Sequence, residues 1–226
     1  MWSTYYGGTS GDFGYSIVSD ANGNIFVTGK TSSINFPTEN PGGGAYFQNM
    51  NAGNTDAFIL KFSNTSVRVW ATYYGGSGWE QFDSFDNLVI DGCSNLFVSF
   101  NTSSGDLPVH LPCDGNYYDN SFNAGTRDIA LLKFSNAGIQ LWGTYCGGNG
   151  DDFREAMAID VNGNLLISGE WNEGSNASYP LTNPGGSAWY AVPGGDHEGF
   201  IAKFLCAPCD CSGNCPCFGW WNFWIS

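Results

Sequence analysis

One seven-residue segment occurs three times in this chain. Trp2-Ser3-Thr4-Tyr5-Tyr6-Gly7-Gly8 returns as Trp70-Ala71-Thr72-Tyr73-Tyr74-Gly75-Gly76 and again as Trp142-Gly143-Thr144-Tyr145-Cys146-Gly147-Gly148. The copies begin 68 and 72 residues apart. A period of that length means a string of similar supersecondary units that share one architecture. Most conspicuous residues therefore recur for structural reasons, and the sequence says more about build than about chemistry.

Within each period the runs are short, β-branched or aromatic, and bounded by turn residues. Tyr15–Ser19, Asn87–Ile90 and Ala156–Ile159 read as first strands. Ile25–Gly29, Leu96–Phe100 and Leu165–Gly169 read as second strands. Third strands are Asp56–Phe62, Asp128–Phe134 and Glu198–Phe204, and the Trp-x-Thr-Tyr segments are fourth strands. Asn22-Gly23 and Asn162-Gly163 predict type I′ hairpin turns, which need two positive-φ residues. The middle copy has Asp91-Gly92-Cys93-Ser94-Asn95 there and predicts a distorted or disulfide-tied turn. No segment sustains a 3.6-residue apolar period, so almost no helix is expected. About 25 residues join the second and third strands of each unit. Phe36-Pro37, Leu107-Pro108 and Tyr179-Pro180 align in this connection, as do Tyr46, Tyr117 and Trp189. Such regularity predicts an ordered lobe that packs one aromatic per unit.

Jointly, Trp-x-Thr-Tyr-Tyr-Gly-Gly, Gly-Asp-x-Gly-Tyr-Ser-Ile, Asp-x-Asn-Gly-Asn, Val-Thr-Gly, Phe-Pro-Thr and Asp-Ala-Phe-x-x-Lys-Phe resemble the bacterial SBBP (seven-bladed β-propeller) repeat. The resemblance runs from residue 2 to about 205 and is closest in the first copy. It implies all-β, propeller-type blades of four antiparallel strands in a secreted or surface-attached protein, and it transfers no catalytic residue. The repeats divide the chain at 2–69, 70–141 and 142–205, followed by a Cys- and Trp-rich tail at 206–226. Propellers have about four to eight blades, so three cannot close a ring. Trp2–Tyr6 reads as a strand of a preceding blade, and the third unit lacks its Trp-x-Thr-Tyr strand. Pairing between chains would satisfy both ends, as a closed oligomer or a head-to-tail fibre. Alternatively, the tail from Trp220 to Ser226 supplies the missing strand. The packing residues expected between blades are Trp2, Tyr5, Trp70, Tyr73, Trp142 and Tyr145. The tail, with Trp220, Trp221 and Trp224, is the expected contact region.

The net charge of −14 leaves no cationic footprint for nucleic acid. No apolar run is long enough to cross a bilayer, so membrane insertion is not expected. The disulfide candidates are Cys93, Cys113, Cys146, Cys206, Cys209, Cys211, Cys215 and Cys217, and an even count in a chain poor in lysine favours an oxidising, extracellular or cell-surface setting. A soft-metal site in the cysteine-rich tail is the lesser reading, since no paired knuckle or histidine accompanies it. Asn64, Asn101 and Asn176 head glycosylation acceptor triplets.

Catalysis finds no constellation. His110 and His197 are the only histidines, and no Gly-x-Ser-x-Gly occurs. Asp12 and the pair Asp151-Asp152 sit at equivalent Gly-Asp turns, where a backbone-capping role is expected rather than glycosidase chemistry. Asp20, Asn22 and Asn24, like Asp160, Asn162 and Asn164, place oxygens at alternate positions as calcium loops do, but the later acidic ligand is missing. No cofactor is expected, with calcium the minor alternative. The chain reads as a non-catalytic structural or adhesive protein that self-associates. The alternative is a carbohydrate-binding propeller with Tyr46, Tyr117 and Trp189 as stacking faces.

Overall fold

A hairpin whose first strand crosses a glycine, followed by a lobe that folds back over the last strand, is the unit from which the molecule is built. A computed structural model of the chain describes residues 1–83, 86–111, 117–123, 126–172, 185, 187 and 197–205. The first blade orders β1 (Asp12–Ser19), β2 (Ile25–Thr31), β3 (Asp56–Phe62) and β4 (Arg68–Tyr74) as one antiparallel sheet in chain sequence. In the second blade, β5 (Glu80–Gln81) and β6 (Leu88–Ile90) both pair with β7 (Leu96–Thr102), which continues to β8 (Asp128–Phe134) and β9 (Gln140–Cys146). The third blade holds β10 (Asp152–Ile159), β11 (Leu165–Asn172) and β12 (His197–Phe204). No helix occurs among the described residues.

The blades run 12–74, 80–146 and 152–204, offset from the sequence repeats because each Trp-x-Thr-Tyr segment closes the blade before it. The divisions expected after residues 69 and 141 fall inside β4 and β9. Trp2–Tyr6 forms no strand. A fourth strand needs the third strand of its own blade, and none precedes it among the described residues. The segment lies against the first blade, with the Trp2 ring on Phe62 at 5.1 Å.

The second blade's first strand is split for a steric reason. A Cβ on Gly29 would meet the Phe13 carbonyl oxygen at 1.9 Å, and one on Gly169 would meet that of Phe153 at 2.0 Å. The first strand thus bulges tightly over a glycine, between Gly14 and Ser16 and between Arg154 and Ala156. Phe100 occupies the equivalent position in the second blade, where a first strand cannot approach as closely as it does over glycine. The cross-strand partner compensates in volume: Gly29 faces Phe58, Gly169 faces Phe200, and Phe100 faces Ala130.

The three hairpin turns share one construction, the middle one included. Asp20 Oδ1 accepts the N–H groups of Asn22 and Asn24, and Asp91 and Asp160 do the same for Cys93 and Asn95 and for Asn162 and Asn164. Only one residue per turn has positive φ: Gly23, Ser94 or Gly163. These are not type I′ turns, because the aspartate side chain does the work of the second positive-φ residue. Nor does the middle turn need a disulfide. Cys93 and Cys146 are not joined to each other. Cys113 and the five tail cysteines, Cys206, Cys209, Cys211, Cys215 and Cys217, lie outside the described residues.

The lobes cover the outer edges of β4 and β9, which would otherwise expose unpaired backbone groups. Glu39 and Ala71 exchange backbone hydrogen bonds of 2.8 and 3.1 Å, and Tyr73 N–H donates to Gln48 at 3.1 Å. In the second blade His110 and Gly143 exchange bonds of 3.0 and 2.9 Å, so His110 has a backbone role.

Candidate functional site

The surfaces where blades meet are the feature that the repeat builds twice. At the first junction Phe26, Ile59, Trp70 and Tyr74 form one buried cluster with Leu88, Leu96, Val98 and Leu132 of the second blade. At the second, Phe97, Leu131, Trp142 and Cys146 meet Met157, Leu165, Ile167 and Phe204. The innermost strands β1, β6 and β10 lie beside one another.

Trp70 and Trp142 pack at the two junctions. The Trp70 indole donates to the Asn136 carbonyl at 3.4 Å, and the Trp142 ring sits 5.8 Å from Phe204. The tyrosines divide differently. Tyr73 donates its hydroxyl to Ser33 O at 2.7 Å and accepts Phe36 N–H at 2.8 Å, both within its own blade. Tyr145 repeats this with Ser104 O and Leu107 N–H. These two tie the fourth strand to its lobe, and burial raises the Tyr145 hydroxyl to about 12. The residue that crosses the junction is Tyr74, which packs on Phe100 and Phe134, donates to Pro108 O at 2.7 Å and accepts the Gln140 amide at 2.9 Å. Tyr6 makes the equivalent contacts with Phe36, Phe62, Pro37 O and Arg68. Its neighbour Tyr5, expected to pack, is fully exposed, because the described residues contain no lobe of its own blade. The second tyrosine of each Tyr-Tyr pair was the signal that could have found the bridging residue.

Beneath these rings lie paired carboxylates that sequence reasoning missed. Asp56 on β3 and Glu80 on β5 are fully buried, and both approach Gly75: a Cβ there would stand 2.6 Å from Asp56 Oδ1 and 2.5 Å from Glu80 Oε2. Asp128 and Asp152 converge on Gly147 in the same way. The Gly-Gly step of the repeat is thus required by two acids from adjoining blades. One oxygen of each acid is engaged: Asp56 by Gln48 and the Ala52 N–H, Glu80 by the Thr102 and Ser104 hydroxyls, Asp128 by the Asn123 N–H and Asp152 by the Gly148 N–H. Asp56 Oδ1, Glu80 Oε2, Asp128 Oδ1 and Asp152 Oδ1 accept no hydrogen bond from the described residues. Burial, with repulsion from Asp56 and from Asp128 added, raises Glu80 to about 8 and Asp152 to about 7. Asp56 and Asp128 rise to about 6, again chiefly by burial, with Asp106 acting on the first and Asp119 and Asp151 on the second. The spacing from Asp56 to Glu80 disguised the pair, since only the meeting of two blades brings them together.

The remaining sequence candidates fall into place. Asp12 caps the Gly8 N–H at 2.7 Å and Asp151 caps the Thr126 N–H at 2.6 Å. Tyr46 packs on Tyr74 and Phe134, and Tyr117 is buried against Phe204, so both are packing residues and not stacking faces. Trp189, Asn176, Trp220, Trp221 and Trp224 lie outside the described residues. Asn64 is exposed, whereas Asn101 is buried, donates to Asp83 at 2.8 Å and accepts the Arg154 N–H at 3.2 Å. Glycosylation at Asn101 would break the blade. His197 is exposed and meets Glu170 at 2.6 Å. The Asp160 carboxylate is held low against the cost of burial by Asn164 and Lys203, and Asp20 likewise by Asn24 and Asn136. These carboxylates are engaged by their own turns, and no group of three or more metal-ligating side chains occurs among the described residues. Among the described residues no helix is long and apolar enough to cross a membrane.

The β-propeller repeat family SBBP matches residues 2–37. That segment carries the SBBP β-propeller repeat. The chain's all-β sheets of antiparallel strands agree with that assignment. The chain is also similar to an uncharacterized WD repeat-containing protein of Acanthamoeba polyphaga mimivirus, 23% identical over 197 residues. That match covers 83% of this chain and 13% of the relative, so this chain spans a small part of that protein's length.

Proposed function

We propose that this SBBP chain is a non-catalytic structural or adhesive protein of the extracellular space or cell surface. It assembles by mating the two open faces of its terminal blades, the partner being a second copy. One observation carries the reading. Pairing registers place Ile17, Leu88 and Met157 at the same position of the three blades. Leu88 and Met157 are 2% and 6% exposed at blade junctions, whereas Ile17 is 67% exposed. The opposite face of the third blade carries Ile201 at the position of the fully buried Ile59 and Leu131, and it is 38% exposed. One chain thus presents both halves of a contact that it twice makes internally. Such a contact is heterologous and closes into an oligomer or extends as a fibre. The buried carboxylate pairs support a non-catalytic role, because no substrate reaches an acid of zero exposure.

Sedimentation over a concentration series tests this. The wild type should associate, while Ile17→Asp and Ile201→Asp should each stay monomeric. Mixed together, the two variants should form a one-to-one pair, since each retains the face the other lacks. A wild type that remains monomeric at all concentrations, or variants that associate alone, would overturn the proposal.

A further inference from the structure

We propose that the cleft beside Trp79 binds neutral carbohydrate, with one pyranose ring lying on the indole face. The cleft is lined by Trp79, Gln81, Ser103, Thr126 and Arg127, with the end of β7 as its floor. Three of these residues depart from the repeat. Trp79 precedes the capping acid Glu80, where the other blades have Gly11 and Asp151 before Asp12 and Asp152. Gln81 stands where Phe13 and Phe153 stand, and Arg127 stands just before Asp128 as Thr55 and His197 stand before Asp56 and Glu198. The fold is built twice without them, so the scaffold does not demand them, yet they converge on one place.

Trp79 is 50% exposed on a backbone that cannot swing. Its N–H donates to Ser103 Oγ at 2.9 Å and its carbonyl accepts the Ser103 N–H at 3.0 Å. On either side, Gly78 N–H donates to Ser104 Oγ at 2.9 Å and Glu80 N–H to Thr55 O at 2.9 Å. A large amphipathic ring on a fixed backbone has only two side-chain torsions to lose on binding. Around it lie an amide, hydroxyls and a guanidinium, the groups that read vicinal sugar hydroxyls, while the indole covers the C–H face. Neutral ligands fit best. The Arg127 guanidinium sits 5.3 Å over the Phe153 ring with Asp83 3.9 Å away, so its charge is partly offset. A chain of net charge −14 also repels polyanions, nucleic acid included.

The test is retention of the full chain on immobilised neutral polysaccharides (β-glucan, xylan, mannan and galactan), followed by calorimetry with oligosaccharides of whichever retains it. Wild type should be retained on at least one. Trp79→Gly, which installs the first blade's residue, should weaken binding at least tenfold with the near-ultraviolet signature of the fold kept. Gln81→Ala and Arg127→Thr should each weaken it severalfold, and they decide the matter if the tryptophan variant fails to fold. No retention on any of the four polymers, or undiminished affinity in these variants, overturns the proposal.

Discussion

Asp56 and Glu80, from adjoining blades, direct their unengaged carboxylate oxygens at one glycine, Gly75. Two such acids cannot both be charged cheaply in a buried junction. Each holds its proton more tightly in the folded chain than in the unfolded one, so the folded state carries the extra protons. Stability therefore falls as pH rises from the unfolded carboxyl range, near 4, through the folded values of about 6 and about 8. Thermal melts should be highest near pH 5 and decline to pH 9. Glu80→Gln, which mimics the protonated acid, should leave pH 5 stability unchanged and raise it at pH 8 by up to about 4 kcal/mol, since each tenfold change in proton affinity is worth ~1.4 kcal/mol. A flat profile, or a glutamine variant that is weaker at pH 8, contradicts the raised affinity of these two acids for protons.

Adjacent tyrosines serve different blades, and amide exchange can separate them. Removing either buried hydroxyl should cost about 1–3 kcal/mol, because each leaves buried partners unmatched. Tyr73→Phe should speed exchange around Ser33 to Phe36, in its own blade. Tyr74→Phe should instead speed it around Val109 and from Gln140 to Trp142, in the next blade. The same peptides responding to both substitutions would refute the division of labour.

Phe100 and Ala130 form a size-matched cross-strand pair whose members are reversed in the other two blades. Phe100→Ala alone should cost about 3–5 kcal/mol by leaving a cavity. Phe100→Gly with Ala130→Phe restores the pattern of Gly29 with Phe58, and it should recover a substantial part of the loss. A double-mutant cycle with no favourable coupling would show that the split first strand has another cause.

The third strands Asp56–Phe62 and Asp128–Phe134 were legible to the residue, since alternation and bounding turns mark a strand locally. The first strands were read too short, beginning at Tyr15 and Ala156 instead of Asp12 and Asp152. Their early residues pair across a bulge that only the packing over Gly29 and Gly169 explains. Trp70 and Trp142 stood out in the sequence because a repeated tryptophan is a large side chain that the fold must place. Which tyrosine crosses the junction, and which acids meet at Gly75, depends on how two blades abut, and no single-strand pattern carries that. The half-exposed Trp79 was visible only as a departure from the repeat; its exposure required the fold.

The repeat also designs its own stabilising changes. Ser94 and Ser66 adopt φ of 63° and 64°. The equivalent turn positions carry glycine elsewhere: Gly23 and Gly163 at 77° and 81°, and Gly138 at 85°. Left-handed backbone costs an L-residue roughly 1–2 kcal/mol, part of which glycine returns to the flexible unfolded chain. Both serines sit in turns whose other bonds are intact, with Ser94 N–H on Asp91 O at 3.0 Å and Ser66 N–H on Ser63 O at 2.9 Å. Neither side-chain hydroxyl is needed for closure, since glycine closes the sister turns through the same backbone bond. Ser94→Gly and Ser66→Gly should each raise stability by about 0.5–1 kcal/mol in denaturant titrations, and their effects should add because the turns belong to different blades. Destabilisation by either would mean that the serine hydroxyl supports its turn.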